Sequence, residues 1–261
     1  MNLSGIASTS RMGQLLRAPL RLLPRSLVLP VLQGPLRGKL WISGASDHGC
    51  WLGSYEYRKQ RLFATLVSPG DTVFDIGANV GFYTLLASVQ TGPKGTVVAF
   101  EPLLRNVELL ERHVRLNALR NVSVVRAAVG NRKGTIRFAP DLHSNSMGHI
   151  DETGSLEVPL VSLDGLMESG AIAMPDVVKI DVEGAEYDVL QGAAQLVARA
   201  RPLILLATHG AEVHLRCCDL LQGWGYALSA LSDAVPIAST DEILANPHRL
   251  ETRRMSEGSA H

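Results

Sequence analysis

The sequence predicts an α/β fold wound around a mostly parallel sheet, on three observations. Short, β-branched apolar runs recur at 73–76, 97–101, 121–125, 177–180 and 202–208. Such continuous apolar runs are what parallel strands covered on both faces require. The stretches between several of them have helical apolar spacing, as at Leu103, Val107, Leu110 and Val114. Carboxylates also cluster at the ends of the runs, with Asp75, Glu101 and Asp181 at or beside the tips where open α/β sheets bind ligands.

At 261 residues, with 46% apolar and 19% charged side chains, one substantial core and one main domain are expected. The formal net charge is zero, so no whole-molecule attraction to nucleic acid exists. Cys50, Cys217 and Cys218 form no disulfide framework and fit a reducing compartment. No apolar stretch reaches the roughly 18 residues of a spanning helix. The expected setting is the cytosol.

Residues 1–45 form a basic, Pro- and Leu-rich segment with no acid. Pro19, Pro24, Pro30 and Pro35 preclude one long helix. Short helices packed on the body, or an arm, are expected, with a weak membrane-surface contact through 11–39 as a further possibility. The main domain is expected at 46–250, followed by a loose polar tail at 251–261. Early in that domain, Trp51, Tyr55 and Glu56 stand close enough to close over the methionine end of a cofactor.

The segment Val73-Phe74-Asp75-Ile76-Gly77-Ala78-Asn79-Val80-Gly81 reads as strand, glycine turn and helix start, the helix running over 80–90. Gly77 and Gly81 permit a tight turn and the close approach of a ligand and of the next helix, and the helix start offers unpaired N–H groups. The dinucleotide fingerprint has a different glycine spacing. Asp75 beside the turn suits a cationic, amine-bearing ligand and points to S-adenosylmethionine rather than NAD. Glu101, twenty positions after Gly81, is placed to accept the ribose hydroxyls. Pro102 is expected at a helix's first position. The tip at Arg126-Ala127-Ala128 is expected near the adenine, with the backbone at Ala127 in contact.

The long connection 130–175 contains strand-like runs at 134–138 and 156–160 around His143-Ser144-Asn145-Ser146. An antiparallel flap acting as a lid or recognition element is expected there. Past strand 177–180, Asp181, Glu183 and Glu186 crowd the next helix start; the helix dipole explains Glu186 but not Asp181. That helix buries Val189, Leu190, Ala193 and Leu196. Strand 202–208 ends in His209-Gly210, and 226–229 with 235–237 reads as a closing pair turning at Ser232-Asp233.

Taken together, Asp75-Ile76-Gly77-Ala78-Asn79-Val80-Gly81, Phe100-Glu101-Pro102, Lys179-Ile180-Asp181-Val182-Glu183-Gly184-Ala185-Glu186 and Thr208-His209-Gly210 resemble the signatures of the FkbM family of class I S-adenosylmethionine-dependent methyltransferases. The resemblance runs from about Trp51 to Pro247. It implies a Rossmann-like, seven-stranded sheet with an antiparallel last strand, flanked by helices. It also implies methyl transfer, usually to a hydroxyl oxygen of a sugar, glycolipid or natural product.

An alcohol is a poor nucleophile, so a base near it is expected. His209, Asp181 and Glu183 are the candidates. Asp181 suits two other roles as well, receiving the cofactor's amine or holding a divalent ion. The set His209, Glu212, His214 and Cys217 matches no strong zinc spacing. Two functions stay open: an O-methyltransferase, and a cofactor-binding module without chemistry.

Overall fold

The structure is a computed structural model that describes residue 20 and residues 23–140, 148–150, 156–231 and 235–247. In chain order it begins with two short strands, β1 Val28–Pro30 and β2 Leu40–Ile42, followed by helices α1 Gly49–Leu52 and α2 Tyr57–Leu66. Next come β3 Thr72–Ile76, α3 Phe82–Thr91, β4 Thr96–Phe100, α4 Leu104–Leu116, β5 Val122–Val125 and β6 Ala128–Val129. The connection carries β7 Gly134–Pro140, β8 Gly148–Ile150, β9 Leu156–Val161 and α5 Leu163–Glu168. The second half holds β10 Val177–Ile180, α6 Glu186–Gln191, α7 Ala194–Ala200, β11 Leu203–Ala207, α8 Ala211–Gly223, β12 Tyr226–Ala230 and β13 Glu242–Pro247.

The main sheet has seven strands in the order β12-β13-β11-β10-β3-β4-β5. All neighbours are parallel except β13, which runs antiparallel to both β11 and β12. The chain steps outward from β3 through β4 to β5, then returns to β10 on the other side. The strand order therefore reverses between β3 and β10, where an open α/β sheet forms a crevice beyond its carboxyl ends.

Strand alternation sends successive side chains to opposite faces. Val73, Val97, Val177 and Leu205 pack on one face with Trp41, Phe63, Phe82, Leu85 and Leu86. Phe74, Val98, Val178, Ile180 and Ile204 pack on the other with Val189, Leu190, Leu196, Cys217 and Leu221. The result is helices on both faces of one sheet.

Four expectations need correction. Over its described part, the N-terminal segment forms no short helices at 28–42 but an antiparallel β1–β2 hairpin. Trp41 explains why. It is fully buried, stacks on His113 at 3.9 Å between ring centroids, and meets Phe82 edge-on. Asn117 pairs with both backbone groups of Leu40, and the Ile42 N–H donates to His113 Nε2 at 3.1 Å.

The second correction concerns the closing pair. It is β12 with β13 at Glu242–Pro247, whereas Ile237–Ser239 is a 3₁₀ turn. Ile243 and Ala245 alternate inward along β13, a period that residues 235–237 are too short to supply. Third, Pro102 precedes α4 instead of starting it, because Leu103 is extended and Glu101 accepts the Leu103 N–H. Fourth, the helix expected after Glu186 is two, α6 and α7, parted at Gly192, where a Cβ would lie 2.0 Å from the Gly130 carbonyl oxygen.

The two runs of the long connection do pair antiparallel, β7 with β9, inside a second sheet of order β6-β9-β7-β8. Residues 11–19 of the basic segment, the polar run at 143–146, the turn at Ser232-Asp233 and the tail from 251 lie outside the described residues. Among the described residues, no helix is long and apolar enough to cross a membrane.

Candidate active site

A cavity opens over the carboxyl ends of β3, β4 and β10. Gly77, Asn79, Glu101, Ala127, Asp181 and Glu183 line it, as do Ser46, Tyr55, Tyr83, Phe138 and Lys179. Of the residues singled out from sequence, Glu56, Asp75, Gly81 and His209 stand outside this lining.

Gly77 makes the turn in the left-handed region, at φ 76°. Its missing Cβ serves the packing of β3 on β10, since a Cβ would sit 1.8 Å from the Asp181 carbonyl oxygen. Gly81, at φ 93°, likewise makes room for Leu110 of the next helix, α4, which a Cβ would meet at 2.9 Å. The Gly77 and Ala78 N–H groups both donate to the Phe100 carbonyl, which ties the turn to the tip of β4.

Glu101 follows that tip and is buried. Its carboxylate accepts the Asn79 N–H at 2.9 Å, the Leu103 N–H at 3.0 Å and Asn106 Nδ2 at 3.2 Å. Burial pushes its carboxyl above the usual range, against the pull of those donors. Asn79 holds a left-handed backbone, and its buried Oδ1 has no hydrogen-bond partner among the described residues.

Behind the cavity wall, Asp75 accepts a hydrogen bond from Thr84 Oγ1 at 2.6 Å. Its other oxygen has no conventional hydrogen bond and is met by the Lys179 ammonium at 3.4 Å. Lys179 also stands 3.4 Å from Asp181, donates to the Gly77 carbonyl at 3.2 Å and lies over the Tyr83 ring. Burial opposes its charge, but Asp181 and Asp75 outweigh burial and hold the ammonium above the ordinary lysine range. In return, although burial works the other way, Lys179, Lys59 and His209 hold the Asp181 carboxyl below its usual range.

Glu56 accepts the Tyr83 hydroxyl at 2.6 Å and faces Lys59 at 3.5 Å; Lys59 pairs also with Glu242 at 2.7 Å. Burial and the Glu56 carboxylate push the Tyr83 and Tyr55 hydroxyls upward, so both remain neutral donors at the cavity wall. Trp51, expected over the cofactor, is instead packed in the core with Nε1 on His48.

His209 approaches Asp181 and Glu183 from outside the lining. Its Nε2 is 3.5 Å from Glu183 Oε2 and 3.9 Å from Asp181 Oδ1, and its Nδ1 bonds Glu186 Oε1 at 2.8 Å. The Glu186 bond, opposed by partial burial and helped by Glu183 and Asp181, raises His209 to about 9. At neutral pH the imidazole therefore carries a proton, which suits it to hold a carboxylate and not to take a proton from an alcohol. The candidate zinc set is dispersed: His214 is buried against Thr208 and Cys218, away from His209's partners.

One side chain escaped the sequence reading, and a second was given too small a role. Lys179 is a lysine inside a four-residue strand buried throughout, which by itself demands a counter-charge. Glu186 is fully buried and turned back onto the Gly184 N–H and His209, a role beyond that of a helix-start acid.

Known methyltransferases resemble this chain in sequence and in fold. The hexuronic acid methyltransferase AglP of Haloferax volcanii is 33% identical over 135 residues, 51% of this chain and 54% of that protein. The 31-O-demethyl-FK506 methyltransferase FkbM of Streptomyces tacrolimicus is 29% identical over 223 residues, 71% of this chain and 82% of that one. A crystal structure of methyltransferase FkbM from Methylobacillus flagellatus shares the fold at a TM-score of 0.51 and 17% identity, covering 77% of this chain and 55% of that one. The chain thus spans about half the length of AglP and of the Methylobacillus protein. The family model of the methyltransferase FkbM domain matches residues 75–228, which contain the turn, the Glu101 tip and the Asp181–His209 cluster. This chain belongs to the FkbM family of methyltransferases.

Proposed function

We propose that the chain is an S-adenosylmethionine-dependent O-methyltransferase acting on a hydroxyl of a sugar, glycolipid-like or natural-product acceptor. Glu101 carries this reading. A carboxylate has about four lone-pair sites, and the protein's own donors occupy three of them with a fixed geometry. Glu101 lines the cavity, and its remaining capacity fits one hydroxyl of a ribose. The unpartnered Asn79 Oδ1 offers a second acceptor nearby. Ala127, Val129 and Phe138 offer an apolar wall for a base, and Asp181, held ionised by Lys179, offers a counter-charge for a cationic group.

The donor in this reading supplies an already activated methyl group, so the chain's task is to position an acceptor oxygen. Asp181 and Glu183 face that side of the cavity and accept the acceptor's hydroxyl proton in a hydrogen bond. His209 fixes both carboxylates. The relatives named for a hexuronic acid and for an O-demethylated natural product support an oxygenated acceptor.

The test is incubation with methyl-labelled donor and a panel of hexuronic acids, glycans and polyols. Labelled product and stoichiometric S-adenosylhomocysteine are expected. Donor binding without label on any acceptor and without S-adenosylhomocysteine would favour a cofactor-binding module.

A further inference from the structure

The carboxyl end of β10 gathers more negative charge than its cations balance. Asp75, Asp181, Glu183 and Glu186 meet one lysine, Lys179, and one imidazole, His209. Lys179 is shared by Asp75 and Asp181, and Lys59 is engaged by Glu56 and Glu242. Glu183 and Glu186 are left to His209 alone.

The geometry of this cluster is that of a ligand set. One oxygen each from Asp181 and Glu183, together with one nitrogen of His209, lie within 4.8 Å of one another. Atoms about 2.2 Å from a common ion stand about 3.1 Å apart at right angles and about 4.4 Å apart across it. The separations of His209 Nε2 from Glu183 and Asp181, 3.5 and 3.9 Å, fall between these limits.

An independent feature sits behind the ring. Glu186 is fully buried, and its Oε1 receives both His209 Nδ1 and the Gly184 N–H. Its Oε2 has no hydrogen-bond partner among the described residues. The Glu186 carboxylate keeps the proton on Nδ1, so a cation that displaces the Nε2 proton meets a basic nitrogen, the arrangement that backs metal-bound histidines.

We propose that Asp181, Glu183 and His209 Nε2 form a three-ligand site for a divalent cation at the rim of the cavity, with Glu186 as the positioning residue behind His209. A mixed set of carboxylates and one imidazole suits an ion of the Mn²⁺ class. Asp181 and Glu183 line the cavity, so the open coordination positions face the acceptor side. Granting the methyl-transfer reading above, on which this part rests, an acceptor hydroxyl bound there has its pKa lowered by the ion.

Titration of the metal-stripped full chain with Mn²⁺, followed by electron paramagnetic resonance, tests the site. One saturable equivalent is expected, with nitrogen coupling from the imidazole in the pulsed spectrum. His209→Ala is expected to abolish that coupling and weaken binding at least about tenfold. Glu183→Gln, at a half-exposed position where the side chain's size is kept, is expected to weaken binding to a similar degree. No saturable Mn²⁺, equal affinity in all three proteins, or bound Mn²⁺ without nitrogen coupling would overturn the site. S-adenosylhomocysteine uptake is measured on the same samples. Uptake without Mn²⁺ binding overturns the ion site alone; Mn²⁺ binding without uptake overturns the donor reading alone.

Discussion

Replacing Lys179 by Met removes the one cation that Asp75 touches among the described residues, in the buried wall of the site. Lys179 and Asp75 are register partners on adjacent strands, 3.4 Å apart, with side chains 5% and 1% exposed. At an effective dielectric of about 20, a pair at this distance attracts by roughly 5 kcal/mol, much of which desolvation cancels. Losing one partner leaves the other charge buried, which typically costs about 3–5 kcal/mol. A ceiling follows independently. An unfolded aspartate ionises near pH 3.9, so keeping one neutral in the fold at pH 7 costs about 4 kcal/mol. The two figures agree.

The second argument also fixes a pH signature. If Asp75 takes up a proton in folded Lys179→Met, the native state binds more protons than the unfolded one above about pH 4. The variant's stability then falls as pH rises, by up to about 1.4 kcal/mol per unit. Urea unfolding of wild type, Lys179→Met and Lys179→Met/Asp75→Asn at pH 5.5 and 7.5 measures it. The single variant is expected to lose about 3–5 kcal/mol at the higher pH and less at the lower. The double variant is expected to recover part of the loss and to lack the added slope. A loss under about 1 kcal/mol with no added slope would refute the claim that this charge is needed to hold Asp75.

Gly77→Ala and Gly70→Ala form a matched pair, both at positive φ. Only Gly77 has a backbone atom in the path of the new Cβ, the Asp181 carbonyl oxygen, while Gly70 has open space. Gly70→Ala should cost about 1–2 kcal/mol in chemical denaturation, and Gly77→Ala clearly more, with Asp181 displaced; equal costs would contradict the packing role. His113 gives a wild-type pH dependence. Burial lowers it to about 4 from the ordinary imidazole value of about 6.5, opposed by its bond to the Val80 carbonyl. The unfolded chain therefore binds the extra proton between these values, and stability falls as pH drops through that window, by about 3 kcal/mol in all. His113→Gln should remove this dependence from the unfolding midpoints measured between pH 4 and 7, and an unchanged slope would show that other groups cause it.

The central sheet was legible because its buried strands are unbroken apolar runs whose meaning is local. Gly77 and Glu101 were legible for the same reason, but the glycine's packing role was not: a Cβ there would meet the carbonyl of Asp181, 104 positions later. Lys179 went unseen because a lysine's role depends on its neighbour strand, and Asp75 comes beside it only through the parallel register. His209 was found, but its charge is set by Glu186 on another element, which the sequence does not reveal. The β1–β2 hairpin was illegible since three-residue strands among prolines carry no period; burial of Trp41 against His113 decides it. Strand β13 was missed because Glu242, Asn246 and Pro247 mask an inward alternation of Ile243 and Ala245.

The central claim is that a methyl donor binds over the tips of β3, β4 and β10 with its ribose on Glu101. Titration calorimetry of S-adenosylhomocysteine into wild type and Glu101→Gln tests it most directly, because the substitution keeps the side chain's size and removes its charge. One molecule per chain is expected for wild type, and the lost charged hydrogen bond, about 1.5–3 kcal/mol, should weaken the variant roughly 10- to 100-fold. No binding by folded wild type, or equal affinity in the two proteins, would contradict it.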